Sequence, residues 1–556
     1  MPDAPPDVHM GQSSSTATAF DETERQGLIQ RLIAPRLSRF PGRRGYRAVG
    51  CVPVGRSTVG DTSDIFRASV AGSTFPQANR GAHMMKFGLI EEWEPRPGHL
   101  TSWVASLASV TNADRAPVHP SPPSHQQEEY LRVAWRNESA GFRFARLCLM
   151  AFDVSAPLDV SAMTSAVNEF VRRHDSFRSW FSMEDDGSVL RHLVPPEAVE
   201  LIPVVYGDRD APQLRTHVQD ETSGPFNWDC FTFGAIEWEG GFTLYAAADH
   251  LNTDGISQAI TCVDLLTLYM NAAFGGDAEL PPVGSYLDYC ARERAVSRQL
   301  TRRSPHVQRW IDLVQANGGR LPGFPLPLGT GAQTYTRSAI VNSTLFDEPT
   351  AARFEQICRD LGANMIAGIM TAAALVYAEF TGRSEYFGMT PKSTRSGAAE
   401  LKSVGWFTSL IPVPLTVDDD TTFRSLAPEA ARSYESGKEL TDISFHRVLE
   451  LVEPADEIAV RSGWAVPMVS YIDVRKLPGV EIFEAGNGCL FGNRGSSEEV
   501  YMWVNRFSGQ TSITLLYPDT EIARESVTQY VERFVAVMSA VADLGDYRPS
   551  LPALAP

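Results

Sequence analysis

The segment Asp249-His250-Leu251-Asn252-Thr253-Asp254-Gly255 sets an imidazole four residues ahead of an Asp-Gly pair, at the end of an apolar run. A neutral imidazole titrates near the working pH and can take a proton from an attacking hydroxyl or amine. Asp254 could hold the loop, and Gly255 permits a tight turn. That equipment is sufficient for general-base acyl transfer. Alone, His-x-x-x-Asp-Gly more often marks a turn, so the surrounding elements must decide.

Residues 242–250 read as a strand entering the loop. Residues 256–273 read as a helix leaving it, with Ile260, Val263, Leu266 and Met270 on one side. Upstream, 143–154 is β-rich and 159–174 has helical spacing through Met163, Val167, Phe170 and Val171. A Gly/Pro-rich stretch, 318–327, breaks all periodicity and is the best internal linker. Beyond it, 336–344 and 404–415 are predicted strands, 348–361, 363–380 and 526–542 helices, and 499–517 a hairpin. Two α/β segments follow, 85–325 with the histidine loop and 326–556. Residues 1–84 are Pro- and Ser-rich, then basic, and read as a disordered extension; Met84 and Met85 open the patterned region.

A chain of 556 residues exceeds what one hydrophobic core serves, which agrees with two core-forming units. A net charge of −18 argues against a nucleic-acid surface. Seven dispersed cysteines, with no CxxC and no Cys/His pair at zinc-ligand spacing, imply no metal and read as free thiols in a reducing cytoplasm. The first residues lack the basic start and apolar core of a secretory signal. The longest apolar stretch, 365–380, is about 16 residues and too short to span a bilayer. A soluble cytoplasmic protein, monomeric and without a transmembrane segment, is expected. There is no G-x-S-x-G elbow, no Walker loop and no dinucleotide fingerprint.

The order of several segments resembles that of the condensation-domain and polyketide-associated acyltransferases of the chloramphenicol-acetyltransferase-like superfamily. Their HHxxxDG segment matches 249–255, with Asp249 in the place of the first histidine. Pro123-Ser124-His125-Gln126-Gln127-Glu128 looks like their S-x-x-Q opening, and Arg173-His174-Asp175-Ser176-Phe177-Arg178-Ser179-Trp180-Phe181 like RHExLRTxF. Ser285-Tyr286-Leu287-Asp288-Tyr289 resembles YxDF/Y. Thr390-Pro391-Lys392-Ser393-Thr394-Arg395 and the following Val404-Gly405-Trp406-Phe407 resemble the T-P-x-x-x-R and V-G-x-F-x-N-T block. Trp93, Trp103 and the run Val469 to Arg475 look most like the polyketide-associated subgroup, whose free-standing members esterify sugars or lipid alcohols.

The resemblance implies an α/β fold of two such lobes forming a V with a tunnel between them. It implies His250 as general base, and Asp254 turned away from the imidazole and held by an arginine, for which Arg395 is the candidate. Gly255 and Asp249 belong to the active-site loop; Arg178, Trp406 and Asp473 are possible tunnel or acceptor residues, each with a structural alternative. Tyr286 with Asp288 is expected to cap a helix. The implied co-substrate is an acyl thioester on CoA or on the phosphopantetheine of a carrier protein, with no permanently bound cofactor, and the acceptor a small molecule or glycolipid. The expected function is ester formation in glycolipid or natural-product biosynthesis. The alternatives are a free-standing condensation enzyme joining carrier-bound intermediates and, because of Asp249, a non-catalytic carrier-protein-binding module.

Overall fold

The computed structural model describes residues 86–552 apart from 276–279, 332–335 and 460–465. The expected extension 1–84 lies outside the described residues. What is described is a two-lobed α/β protein. The first lobe rests on a seven-stranded sheet. Its order is β1 (Lys86–Leu89), β13 (Cys489–Gly492), β3 (Leu147–Val154), β8 (Gly241–Asp249), β7 (Phe231–Trp238), β2 (Gly98–Ala105), β6 (Leu201–Arg209). β8 is buried along its whole length, as a central strand covered on both faces must be. It pairs antiparallel with β3 and β7, and Leu147 stands opposite Asp249. The chain therefore leaves the sheet at Asp249 and delivers His250 at the sheet's end.

Helix Val160–Arg173 buries the predicted Met163, Val167, Phe170 and Val171 and packs against helix Gly255–Phe274, which follows the histidine loop. A small hairpin, β4 (Ser179–Met183) with β5 (Val189–Leu193), completes this half.

The second lobe has the sheet β12 (Met468–Asp473), β14 (Tyr501–Arg506), β15 (Gln510–Pro518), β9 (Ser338–Asp347). Its core is helix Met365–Thr381, capped by the Asn364 side chain and ended by Gly382 at φ 65°. This is the long apolar stretch of the sequence, and it is buried. Among the described residues no single helix is long and apolar enough to cross a membrane. Along β14, Met502 and Val504 enter that core, so Tyr501, Trp503 and Asn505 alternate to the opposite face.

Two segments beyond the Gly/Pro stretch leave the second lobe. β13 inserts between β1 and β3, parallel to the first and antiparallel to the second. The stretch joining β10 (Glu385–Ser393) to β11 (Thr408–Thr416) packs beneath the histidine loop. The part expected to run as its own lobe over 326–556 thus lends a strand to the first. A four-residue strand carries too little pattern to announce itself.

Candidate active site

At the end of β8 the chain makes one 3-10 turn, His250–Asn252, capped by Asp249. Asp249 is fully buried and accepts from Leu251 N at 2.9 Å, Tyr130 OH at 2.9 Å and Arg146 N at 3.1 Å. Burial pushes its carboxyl up to about 6. The residue in the place of a histidine therefore ties the loop to strand and helix through three donors.

His250 is fixed by its own main chain, whose N–H donates to Arg146 O at 2.8 Å. Its ring lies against Trp406, with centroids 4.4 Å apart, and its Nδ1 is buried without a hydrogen-bond partner. Burial pushes its pKa down to about 4; the Arg146 charge acts in the same direction, and its own carbonyl and Asp254 act against it. The imidazole is accordingly neutral at pH 7, as a proton acceptor must be.

Asp254 is occupied elsewhere. Its carboxylate takes Arg395 Nη1 at 2.8 Å and Nη2 at 3.0 Å, Ser257 N at 2.8 Å and Phe407 N at 3.0 Å. The two charged side chains are only 1% and 8% exposed, so the pair is enclosed. Arg395 also donates to Ser257 Oγ at 2.7 Å and lies 4.4 Å from the Phe407 ring centre. Ser257 Oγ in turn donates to Gly405 O and accepts from Gly405 N. These bonds correct the strand expected over 404–415, which starts only at Thr408, because the main chain before it is bonded to the histidine loop. Gly405 has to be glycine here: a Cβ would stand 2.4 Å from Cδ2 of Tyr286.

The remaining motifs converge on the same place. Ser124 and Gln127 form a capping box, and Gln127 Nε2 donates to Leu251 O at 2.9 Å while its Oε1 accepts from the buried Arg191. His174 Nε2 lies 3.0 Å from Asp264, and Ser176 Oγ donates to Val404 O at 2.9 Å. Asp175 accepts from Ser285 Oγ and from Tyr286 N. The cap of helix Tyr286–Gln299 is Ser285, which accepts from Asp288 N. Tyr286, expected as a cap with Asp288, is instead buried and donates to Trp406 O at 3.2 Å.

Gly255 departs from expectation, while Arg178 and Asp473 take their structural alternatives. Gly255 has no left-handed φ; it is exposed, opens helix Gly255–Phe274, and a Cβ on it would meet only Ile472 Cδ1, at 3.6 Å. The tight turn expected of it is not made. Arg178 donates to Val194 O at 3.0 Å, beside the β4–β5 hairpin. Asp473 closes a two-pronged pair with Arg475 at 2.7 and 2.9 Å, and its neighbour Ile472 is what approaches the loop. Sequence reasoning missed Arg146, Tyr130 and Tyr501. Each is a single residue brought in by tertiary packing, without a spacing to betray it.

A condensation domain matches residues 148–459. The chain is 32% identical over 468 residues, 83% of itself and 98% of the relative, to acyltransferase PapA3 of Mycobacterium tuberculosis. It is 33% identical over 470 residues, 83% of itself and 89% of the relative, to the 2'-acyl-2-O-sulfo-trehalose (hydroxy)phthioceranyltransferase PapA1 of the same organism. The solved structure of a PapA2 acyl transferase, 34% identical, superposes with a TM-score of 0.77 over 83% of this chain and all of that one.

Proposed function

Since the chain belongs to the condensation-domain family and is an acyltransferase of the polyketide-associated kind, we propose that it esterifies a hydroxyl of a trehalose-type glycolipid precursor with His250 as general base. The acyl or polyketide chain arrives as a thioester on CoA or on a carrier protein's phosphopantetheine. The enzyme works as a cytoplasmic monomer and holds no cofactor of its own. The six described cysteines form no disulfide, which suits a reducing compartment.

The observation that carries this reading is an imidazole packed on Trp406 at the end of β8, in a loop braced by the Asp254–Arg395 pair and by Asp249 with Tyr130, so that its side chain has no structural bond to keep. As the acceptor oxygen bonds to the thioester carbonyl carbon, Nε2 of His250 takes its proton. When the C–S bond breaks, the imidazolium, strongly acidic in this setting, returns the proton to the leaving thiolate. Asp254 and Asp249 are positioning residues, and the exposed first turn at Gly255 leaves room for the thioester. The non-catalytic alternative loses its particular support, because Asp249 acts as a loop bracket. The test is acyl-CoA or acyl-carrier thioester with trehalose-type acceptors, product read by mass spectrometry, for wild type and His250→Ala. The variant should keep wild-type unfolding behaviour and lose turnover; near-wild-type turnover removes His250 from the mechanism.

A further inference from the structure

Among the described residues whose charge acts on His250, Arg146 and Asp254, only Arg146 has a side chain the mechanism leaves unused. Its main chain is spent on the loop: N–H to Asp249, carbonyl to His250 N. Its guanidinium, only partly exposed, lies among three rings, 5.5 Å from the centre of Tyr130, 5.9 Å from Phe144 and 5.8 Å from Tyr501. It makes no ion pair with any carboxylate among the described residues. The nearest acid that acts on it, Asp249, is bonded to three other donors. The other arginines that support this loop meet a carboxylate or amide and carbonyl oxygens: Arg395 pairs with Asp254, and Arg191 donates to Gln127 and main-chain carbonyls.

The guanidinium meets the Tyr501 hydroxyl, a neutral partner that supplies no full counter-charge, and its flat fork suits two oxygens of a sulfate or phosphate. Arg146 stands at the β3 end of the loop, across from the strand end that delivers His250. The Arg146 charge acts on the His250 imidazole, so the two side chains share one neighbourhood. Tyr501 and Trp503 stand partly exposed with ring centres 6.2 Å apart on the face of β14 away from the core, and aromatic faces of this kind suit a sugar. Two relatives' names fit this chemistry, PapA1 acting on 2-O-sulfo-trehalose and a trehalose-2-sulfate acyltransferase, PapA2.

We propose that Arg146 is an acceptor-recognition residue, whose guanidinium, caged by Tyr130, Phe144 and Tyr501, binds a sulfate or phosphate ester carried by the sugar that His250 deprotonates. This rests on the acyltransfer reading above. The experiment compares trehalose with trehalose-2-sulfate and trehalose-6-phosphate, for wild type and Arg146→Gln, using a phosphate-free N-acetylcysteamine thioester and acyl-CoA as donors. Wild type should prefer one charged acceptor in kcat/KM, and Arg146→Gln should erase that preference by about 10–100-fold, the worth of one charge-assisted contact. The loss should appear in acceptor KM and persist with the phosphate-free donor. An effect seen only with acyl-CoA places the donor's phosphates at Arg146 and overturns the proposal, as does equal use of charged and neutral acceptors by wild type. If wild type transfers to none of the acceptors, the acyltransfer reading is what fails. Titration calorimetry of trehalose-2-sulfate and trehalose-6-phosphate against wild type and Arg146→Gln then decides the role of Arg146 alone: binding lost in the variant supports it, and equal or absent binding overturns it.

Discussion

Replacing Asp254 with alanine should unfold the enzyme more than it alters the chemistry. The carboxylate satisfies four donors: both terminal nitrogens of Arg395, the first-turn N–H of Ser257 and the N–H of Phe407. Removing it leaves a guanidinium that is 1% exposed without its counter-ion, a loss of about 3–5 kcal/mol. It also removes an N-cap worth about 1 kcal/mol and orphans the Phe407 N–H at about 1–3 kcal/mol. These effects share one carboxylate and do not add fully, so the expected destabilisation is about 4–6 kcal/mol. That is a large part of the roughly 5–15 kcal/mol that holds a folded protein together. Urea unfolding followed by tryptophan fluorescence measures it, with Trp406 sitting on the affected segment. Asp254→Asn keeps a capping oxygen and should lose only the ionic part. Asp254→Ala combined with Arg395→Met should recover at least about 2 kcal/mol relative to the sum of the singles, since no charge then remains stranded. A single variant within about 1 kcal/mol of wild type, or a strictly additive double, would refute the view that this pair holds the loop.

Other expectations concern neighbouring residues. Catalysis needs neutral His250, whose pKa is pushed down to about 4, so the acid limb of kcat/KM should fall through about pH 4 rather than 6.5. Arg146→Gln, by removing a cation that disfavours the imidazolium, should move that limb to higher pH. Gly405→Ala drives a methyl into the Tyr286 ring and should lower stability by about 1–3 kcal/mol, visible as a lower urea midpoint. Asp249→Ala orphans the Leu251 N–H and the Tyr130 hydroxyl, leaves the Arg146 N–H only Tyr130, and should destabilise. The Asp249 carboxyl is raised to about 6 in the fold, so its protonated form is favoured there and its contribution shrinks as pH rises from about 4 to 6. The stability gap between wild type and Asp249→Ala should therefore be wider at pH 5 than at pH 7.5.

The histidine loop was legible because its cause is local: an apolar strand, a polar heptad and an amphipathic helix in succession. The helix 363–380 was legible as buried for a similar reason, a composition with no polar face. Arg395 reached Asp254 only by way of resemblance, since 141 residues separate them and nothing in either neighbourhood encodes the other. Asp249 was readable as a departure but not as a bracket, because Tyr130 comes from a helix 119 residues upstream. Gly255 shows the opposite error: Asp-Gly suggested a sharp turn, but the glycine simply begins a helix. Arg146, with neither motif nor spacing, becomes visible only when the rings of two lobes close around it.

The position of β13 in the first sheet bears on the order in which this protein can be made. As the chain emerges from the ribosome, β3 precedes β13 by more than 330 residues, and β1, which borders only β13 in its sheet, waits the whole time without its sheet partner. The catalytic half is thus begun first and finished nearly last, with an unpaired strand edge on β3 throughout. Expression of residues 85–325 alone should yield an open-edged, aggregation-prone fragment. Supplying the missing segment as a separate polypeptide is the way to rescue it.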